Sequence, residues 1–207
     1  MHLTVKKFVT GPIETNTYVV GNESKACIII DPSHGCDTIL EHINTQGLSC
    51  VAIILTHGHF DHFLGLEEIL KVFPDTGIWI HHEEVTFLSN PDFNGSYMIG
   101  MEVSYTGPVK EIYEGFQEIG GFPMQVFHVP GHSPGGIVLY MEPYCFSGDT
   151  LFAGSIGRFD FPGCDGGALI ANIREKLLTL PDETVVCPGH GGRTTVGREK
   201  KRNPFLQ

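Results

Sequence analysis

Four metal-capable side chains within six residues constrain this chain more than any other feature of its sequence. The segment Thr56-His57-Gly58-His59-Phe60-Asp61-His62 directly follows residues 51–55, an apolar run typical of a strand buried on both faces. Residues two apart in an extended segment point to the same side, so His57 and His59 can converge on one ion. Asp61 and His62, just past a bend, can reach a second ion. The segment therefore predicts a metal site at the end of a strand.

Three later segments share one form, in which a strand leads into a glycine-rich turn that carries a metal-capable residue. They are residues 130–136, 147–150 and 188–192, and they carry His132, Asp149 and His190. Glycine beside a ligand permits unusual backbone angles and leaves room above an ion. Together with the first segment, these turns supply seven candidate ligands, five histidines and two aspartates.

Seven ligands exceed the number that one zinc ion holds, which is about four. We therefore predict two groups that share one residue: His57, His59 and His132 on the first ion, Asp61, His62 and His190 on the second, and Asp149 between them. A bridging water would complete both ions and leave an open position, as in catalytic sites. We expect two divalent metal ions, zinc first, with iron or manganese as possible substitutes.

Strands and helices are mixed along the chain. Short apolar strands are predicted at residues 26–30 and 51–55, and amphipathic helices at residues 36–43 and 63–72. Residues 90–109 are rich in Gly, Pro and Asn and are interpreted as a loop. His81 and His82 follow a short strand and are expected to be exposed. The pattern favours an α/β fold in which two mainly β sheets carry helices on their outer faces.

Composition excludes several classes of partner. The 207 residues carry a formal net charge of −11, so the chain lacks the basic surface that nucleic acid binding needs. No run of about 18 apolar residues is present, and we expect no membrane span. The six cysteines are dispersed without a CxxC pair and are expected to be reduced, which favours the cytoplasm. We expect one domain over residues 1–207, and nothing in the sequence indicates an oligomeric state.

The order HxHxDH, GH, GD and GH resembles the metallo-β-lactamase superfamily over nearly the whole chain. Within it, Gly148-Asp149-Thr150-Leu151-Phe152 and Gly154-Ser155-Ile156-Gly157-Arg158 are similar to the hydroxyacylglutathione hydrolase (glyoxalase II) group. Residues 194–205 look like the short bacterial or archaeal branch of that group. The resemblance implies an αββα sandwich of two mainly antiparallel sheets flanked by helices, with the metals at one edge. The family's ligands correspond to the seven residues named above.

The resemblance also implies an activity. It implies hydrolysis of acyl thioesters such as S-lactoylglutathione by a hydroxide that bridges two ions. Asp61 and Asp149 would hold this nucleophile as well as the ions. Asp31, at the end of its strand, either orients a ligand histidine as a hydrogen-bond acceptor or is an ordinary turn residue. A small-molecule thioester is the expected partner.

Two departures from the full-length family enzyme affect substrate binding. Only 17 residues follow His190 (207 minus 190), so we expect the C-terminal helical domain that grips glutathione to be missing. The family's glutathione-binding lysine and tyrosine are replaced by Arg158 and Asp160. Arg158 can still hold a substrate carboxylate, whereas Asp160 cannot.

The same motifs also leave other functions open. The main alternative is a persulfide dioxygenase-like oxidoreductase with one iron, and metal content distinguishes it from a two-metal hydrolase. Zinc-dependent β-lactamases commonly have cysteine where Asp149 stands, which disfavours that activity. A silent scaffold protein would have lost a ligand, and all seven are present.

Overall fold

The computed structural model describes residues 2–161 and 163–207, so Met1, where the predicted domain begins, and Pro162 lie outside the described residues. The first sheet has six strands. In spatial order they are β1 (Thr4–Thr10), β2 (Thr15–Gly21), β3 (Ala26–Ile30), β4 (Ser49–Ile54), β5 (Gly77–His81) and β6 (Lys110–Ile112). Four helices lie in its connections: α1 (Asp37–Gln46), α2 (Leu66–Val72), α3 (Val85–Ser89) and α4 (Pro91–Asn94).

The second sheet is built by the other half of the chain. Its main strands are β7 (Gly115–Ile119), β8 (Phe122–His128), β9 (Ile137–Met141) and β10 (Tyr144–Gly148), and the short strands β11 (Leu151–Phe152) and β12 (Ser155–Ile156) pair separately. Helix α5 (Gly166–Asn172) continues as a π-helical turn, Ile173–Leu177. Strands β13 (Val185–Pro188) and β14 (Thr194–Thr195) and helix α6 (Val196–Arg202) follow. The spatial order is β14-β13-β10-β9-β8-β7.

Alternation along the strands explains the layers. In β3, Ile28 and Ile30 pack into the cluster between the sheets, whereas Cys27 and Ile29 pack against the helices outside. Successive side chains of a strand point to opposite faces, so a strand covered on both faces must be apolar throughout. A third cluster joins the second sheet to α5 and α6 through residues such as Leu169. The predicted sandwich with outer helices is confirmed.

Strand pairing in the first sheet differs from the mainly antiparallel arrangement that we expected. Strands β3, β4, β5 and β6 run parallel, and only the two pairs formed by β1, β2 and β3 are antiparallel. Helices α1 and α2 carry the chain back across the sheet between parallel strands, and this crossover is what parallel pairing requires. The second sheet is antiparallel apart from the β10–β13 pair.

The structure agrees with the predicted helices but differs from the predicted loop and from one predicted exposure. The helices expected at residues 36–43 and 63–72 correspond to α1 and α2. The expected loop at residues 90–109 instead contains α4 and a short 3₁₀ helix, Ser96–Ile99. The expected exposure of His81 is wrong, because its ring lies buried against His128, whereas His82 is exposed.

All six cysteines are free thiols. None of the helices in the described ranges has the length and apolar character that a bilayer span requires.

Candidate functional site

Strand direction brings the candidate ligands to one edge of the sandwich. The segment that carries His57, His59, Asp61 and His62 follows β4, and it includes a short 3₁₀ helix, Phe60–His62. In the second sheet, β8 and β10 both run antiparallel to β9, and β13 runs parallel to β10. The carboxyl ends of β8, β10 and β13 therefore meet at one edge, and the turns with His132, Asp149 and His190 start there. The structure brings all seven residues together.

The first group consists of three histidines. His132 Nε2 lies 3.0 Å from His59 Nδ1 and 3.3 Å from His57 Nε2. Nitrogens that ligate one zinc ion tetrahedrally at roughly 2.0 Å are roughly 3.3 Å apart, so this spacing fits one ion. Burial, reinforced by His132, lowers the pKa of His59 to about 3, and burial also lowers the pKa of His57 and His132. Neutral imidazole is the form that ligates metals.

The second group combines imidazoles with a carboxylate. Asp61 Oδ2 lies 3.2 Å from His62 Nε2 and 3.3 Å from His190 Nε2. Burial alone would lower the pKa of His62, but Asp61, Asp31 and Asp149 outweigh it and raise that pKa well above its ordinary value. Several carboxylates thus surround this point and favour a positive charge there.

Asp149 lies between the two groups. Its Oδ1 is 3.4 Å from His62 Nε2, and its Oδ2 is 3.5 Å from His190 Nε2 and 3.7 Å from His132 Nε2. Two glycines make this position possible. Gly148 adopts a φ of +47°, and a Cβ on Gly189 would lie 2.2 Å from Asp149 Oδ1. The carboxylate can therefore contact both groups at once.

Unpartnered polar atoms indicate that the site is built for a further component. Buried polar groups in proteins nearly always have a hydrogen-bond partner. His62 Nε2 and Asp149 Oδ1 are buried and make no hydrogen bond, although only 3.4 Å separates them. Imidazole nitrogens and carboxylate oxygens are the ligands that zinc or iron takes when thiolates are absent. The two clusters fit a site for two metal ions.

Asp31 supports the second group from behind. Its Oδ2 lies 3.0 Å from His62 Nδ1 and accepts a hydrogen bond from the Thr56 hydroxyl at 2.7 Å. Its Oδ1 accepts from the Thr56 backbone N–H at 2.7 Å. Asp31 has a φ of +52°, a conformation that costs energy for a residue other than glycine. The strained turn places the carboxylate where it contacts both the ligand and the strand end that carries it.

The sequence did not predict that three residues make polar contacts with the ligand segments. Thr15 donates a hydrogen bond to Asp61 Oδ2 at 2.7 Å. The buried carboxylate of Glu84 accepts from the backbone N–H of Gly58 at 2.7 Å and of Gly135 at 2.6 Å, which joins the turns of His57 and His132. The Arg158 carbonyl lies 2.8 Å from His132 Nδ1. No local motif marks these residues, because each contact joins segments far apart in the sequence.

Five of the seven candidate ligands line an open cavity of about 560 Å³: His59, Asp61, His132, Asp149 and His190. Arg158 lies on its wall, with the side chain 52% exposed. Its guanidinium forms two hydrogen bonds with Asp160, at 2.8 and 2.9 Å, and lies 3.8 Å from the Phe161 ring centre. The positive charge of Arg158 therefore faces the cavity but is shared with an exposed carboxylate.

Comparison with curated proteins gives full-length matches. The chain is 39% identical over 206 residues to the probable metallo-hydrolase YqgX of Bacillus subtilis, covering 97% of this chain and 96% of that protein. It is 35% identical over 198 residues to the hydroxyacylglutathione hydrolase GloC of Haemophilus influenzae, covering 93% of each.

Solved structures of similar length share the fold. The BLEG-1 B3 metallo-beta-lactamase superposes with a TM-score of 0.94 at 39% identity, over 99% of this chain and all of that one. TTHA1623, in a di-iron-bound form, gives 0.88 at 38% identity, over 98% and 100%. Residues 10–190 also match the family model of the metallo-beta-lactamase superfamily. The resemblance predicted from the motifs is confirmed, and this chain belongs to the metallo-beta-lactamase superfamily.

Proposed function

We propose that this metallo-hydrolase holds two metal ions and cleaves acyl thioesters. One observation carries the proposal: two three-ligand groups lie side by side with Asp149 between them, and five of these seven residues line an open cavity. The 35% identity to a hydroxyacylglutathione hydrolase supports a thioester as the substrate class. Water would add to the thioester carbonyl carbon and the carbon–sulfur bond would break, which gives a carboxylic acid and a thiol.

Ions bound at the two groups would supply a water of lowered pKa and a positive charge to stabilise the developing oxyanion. The protein's part is to place these charges. His57, His59 and His132 would hold the first ion, and Asp61, His62 and His190 the second. Asp149 would contact both and, with Asp61, orient the attacking water. Asp31 would keep His62 in one orientation through its Nδ1.

Metal content tests the two-ion proposal and its main alternative. Protein purified without chelator and loaded with zinc or iron is analysed for metal per chain, then assayed with S-lactoylglutathione. Zinc is the proposed ion, and iron is included because a similar structure holds two irons. We expect about two ions per chain and thioester cleavage. One iron per chain, with oxygen consumption on glutathione persulfide, would replace the proposal with the dioxygenase.

A β-lactam belongs in the same assay. One similar structure is described as a B3 metallo-beta-lactamase, and a β-lactam carbonyl accepts the same attack by hydroxide. We expect kcat/KM for the thioester to exceed that for nitrocefin. The reverse order would assign this site to β-lactams.

Arg158 is proposed to bind an anionic group on the substrate. Arg158→Ala should raise KM for S-lactoylglutathione and leave kcat nearly unchanged, because the contact is the same in the ground and transition states. The side chain is half exposed, so we expect about a fivefold rise, equivalent to about 1 kcal/mol. Asp160→Asn should lower KM by freeing the guanidinium. Arg174→Ala, on the helical segment that follows α5, is the control, and an unchanged KM in both test variants would remove Arg158 from substrate binding.

A further inference from the structure

A second cavity of about 360 Å³ opens beside the metal groups, on the side of His59 and His132. It shares these two histidines, Met98 and Phe161 with the larger cavity, so the two are continuous. Its walls are mostly apolar. They are formed by Phe87, Phe93, Tyr97, Met98, Pro134 and Phe161. We call this space the aromatic cavity.

The charge of the aromatic cavity disfavours anions. Asp92 is the one carboxylate among the described residues that line it, and this lining includes no lysine or arginine. Away from the two histidines, a carboxylate of glutathione would meet a like charge there and no lysine or arginine. An uncharged apolar group would instead be stabilised there because its surface is removed from water.

The apolar side chains of this region are held outward by the backbone beneath them. Phe93, Tyr97 and Met98 are 55%, 56% and 51% exposed. The buried Asn94 donates hydrogen bonds from its amide to the carbonyls of Val103 (2.8 Å) and Phe87 (3.1 Å). The exposure therefore belongs to a fixed segment, and clustered exposed apolar side chains mark binding sites.

We propose that the aromatic cavity binds the acyl chain of the substrate, so that the preferred substrates are thioesters of medium-length apolar acids and not short hydroxyacyl thioesters. This rests on the proposed thioester hydrolysis. The cavity has the volume of roughly a dozen water molecules at roughly 30 Å³ each, more than a lactoyl group fills. The carbonyl would lie at the metal groups, and the thiol portion would extend toward Arg158.

A chain-length series on one thiol tests the proposal. The zinc-loaded protein is assayed with acetyl, butanoyl, hexanoyl and octanoyl thioesters of N-acetylcysteamine, with S-lactoylglutathione alongside. We expect kcat/KM to rise with each added methylene, by at most about fourfold, the equivalent of about 0.8 kcal/mol. Met98→Asp should lower the octanoyl-to-acetyl ratio of kcat/KM at least tenfold. The exposed Met101→Asp, on the same segment but outside both cavities, should keep that ratio.

Binding provides a second readout that does not depend on turnover. Calorimetry compares octanoate with acetate on the zinc-loaded protein, so that the carboxylate–metal contact cancels. Octanoate should bind at least tenfold more tightly, and Met98→Asp should reduce this preference. Phe93→Asp is a second variant at the same wall, in case one of them fails to fold.

Each outcome decides one of the two claims. Turnover of the N-acetylcysteamine series with no chain-length preference overturns the acyl cavity and keeps the thioesterase. No thioester turnover overturns the thioesterase, and the octanoate comparison then decides whether the cavity binds an apolar chain. Equal binding of octanoate and acetate overturns the acyl cavity under either result.

Discussion

At the residue scale, Asp149 is distinctive because its carboxylate contacts both ligand groups: Oδ2 lies 3.7 Å from His132 Nε2 of the first group and 3.5 Å from His190 Nε2 of the second. Asp149→Asn keeps the shape but removes the charge, and an amide bridges two cations poorly. We expect the variant to fold, to hold fewer than two ions, and to lose about a hundredfold or more in kcat. Metal analysis and thioester turnover measure this, with Asp75→Asn on an exposed turn as the control. Near-normal turnover with both ions retained would show that Asp149 does not bridge.

Glu84 joins the turns of His57 and His132 through two backbone N–H donors. A glutamine there would turn its NH₂ group toward one of these donors and leave it buried without a partner. We expect Glu84→Gln to lower the free energy of unfolding of the metal-free protein by about 1–3 kcal/mol. Urea denaturation measures the change, and the exposed neighbour Glu83→Gln is the matched control. Equal midpoints for the two variants would contradict this role.

The convergence of the seven candidate ligands was predictable from the sequence, whereas the residues that support them were not. The ligand types cluster in short motifs beside glycine, a pattern that is improbable by chance. Thr15 and Glu84 occur singly, 46 and 26 residues from the positions that they contact, Asp61 and Gly58. Only the packing of the strands brings these pairs together, so the local sequence does not predict the contacts.

At the element scale, β2 ties the first sheet to the turn that carries His190. The Asn16 amide donates hydrogen bonds to the carbonyls of Pro188 (2.9 Å) and Gly191 (3.0 Å). Its backbone N–H donates to Gly189, and the Tyr18 hydroxyl donates to Pro188 at 2.8 Å. The position of His190 therefore depends on a strand of the opposite sheet.

Loss of the Asn16 side-chain hydrogen bonds should weaken metal binding at the second group selectively. Asn16→Ala removes two hydrogen bonds that fix the His190 turn, each worth about 1 kcal/mol. In a zinc titration we expect the second equivalent to bind about tenfold or more weakly, while the first equivalent is little changed. Asn44→Ala, on the exposed face of α1, should titrate like the unaltered protein. A similar loss of zinc affinity at both equivalents would mean that these hydrogen bonds stabilise the fold as a whole.

The elements themselves were only partly predictable. Apolar periodicity located α1 and α2, because each helix buries one stripe against the first sheet. Strand direction was not encoded locally, and the parallel pairing follows from where those helices return the chain. The 3₁₀ helix Ser96–Ile99 lies in a glycine-rich stretch and is fixed by Asn94 and Ser96 side-chain contacts that no periodicity reveals.

At the scale of the whole molecule, we expect metal binding to raise the stability of the fold. Ligand binding to the native state alone stabilises it by RT ln(1 + [L]/Kd), about 4 kcal/mol at a thousandfold excess over Kd. For a chain of this size, removal of zinc should lower Tm by about 8–16 °C. Calorimetry before and after chelation measures the drop, and zinc should restore Tm. Magnesium serves as the control because it prefers oxygen ligands. An unchanged Tm after complete metal removal would contradict this coupling.

The division of the chain between the sheets has a consequence for its synthesis. The first sheet ends at Ile112 and the second begins at Gly115, and the ligands fall on both sides of this junction. A growing chain that has emerged as far as Ile112 carries four of the seven ligands and completes neither group. The second group is complete only once His190, in a chain of 207 residues, has been synthesised. With the proposed two-ion site, full metal loading would be a late event in the life of each molecule, and a product that stops short of His190 would lack a ligand of the second group.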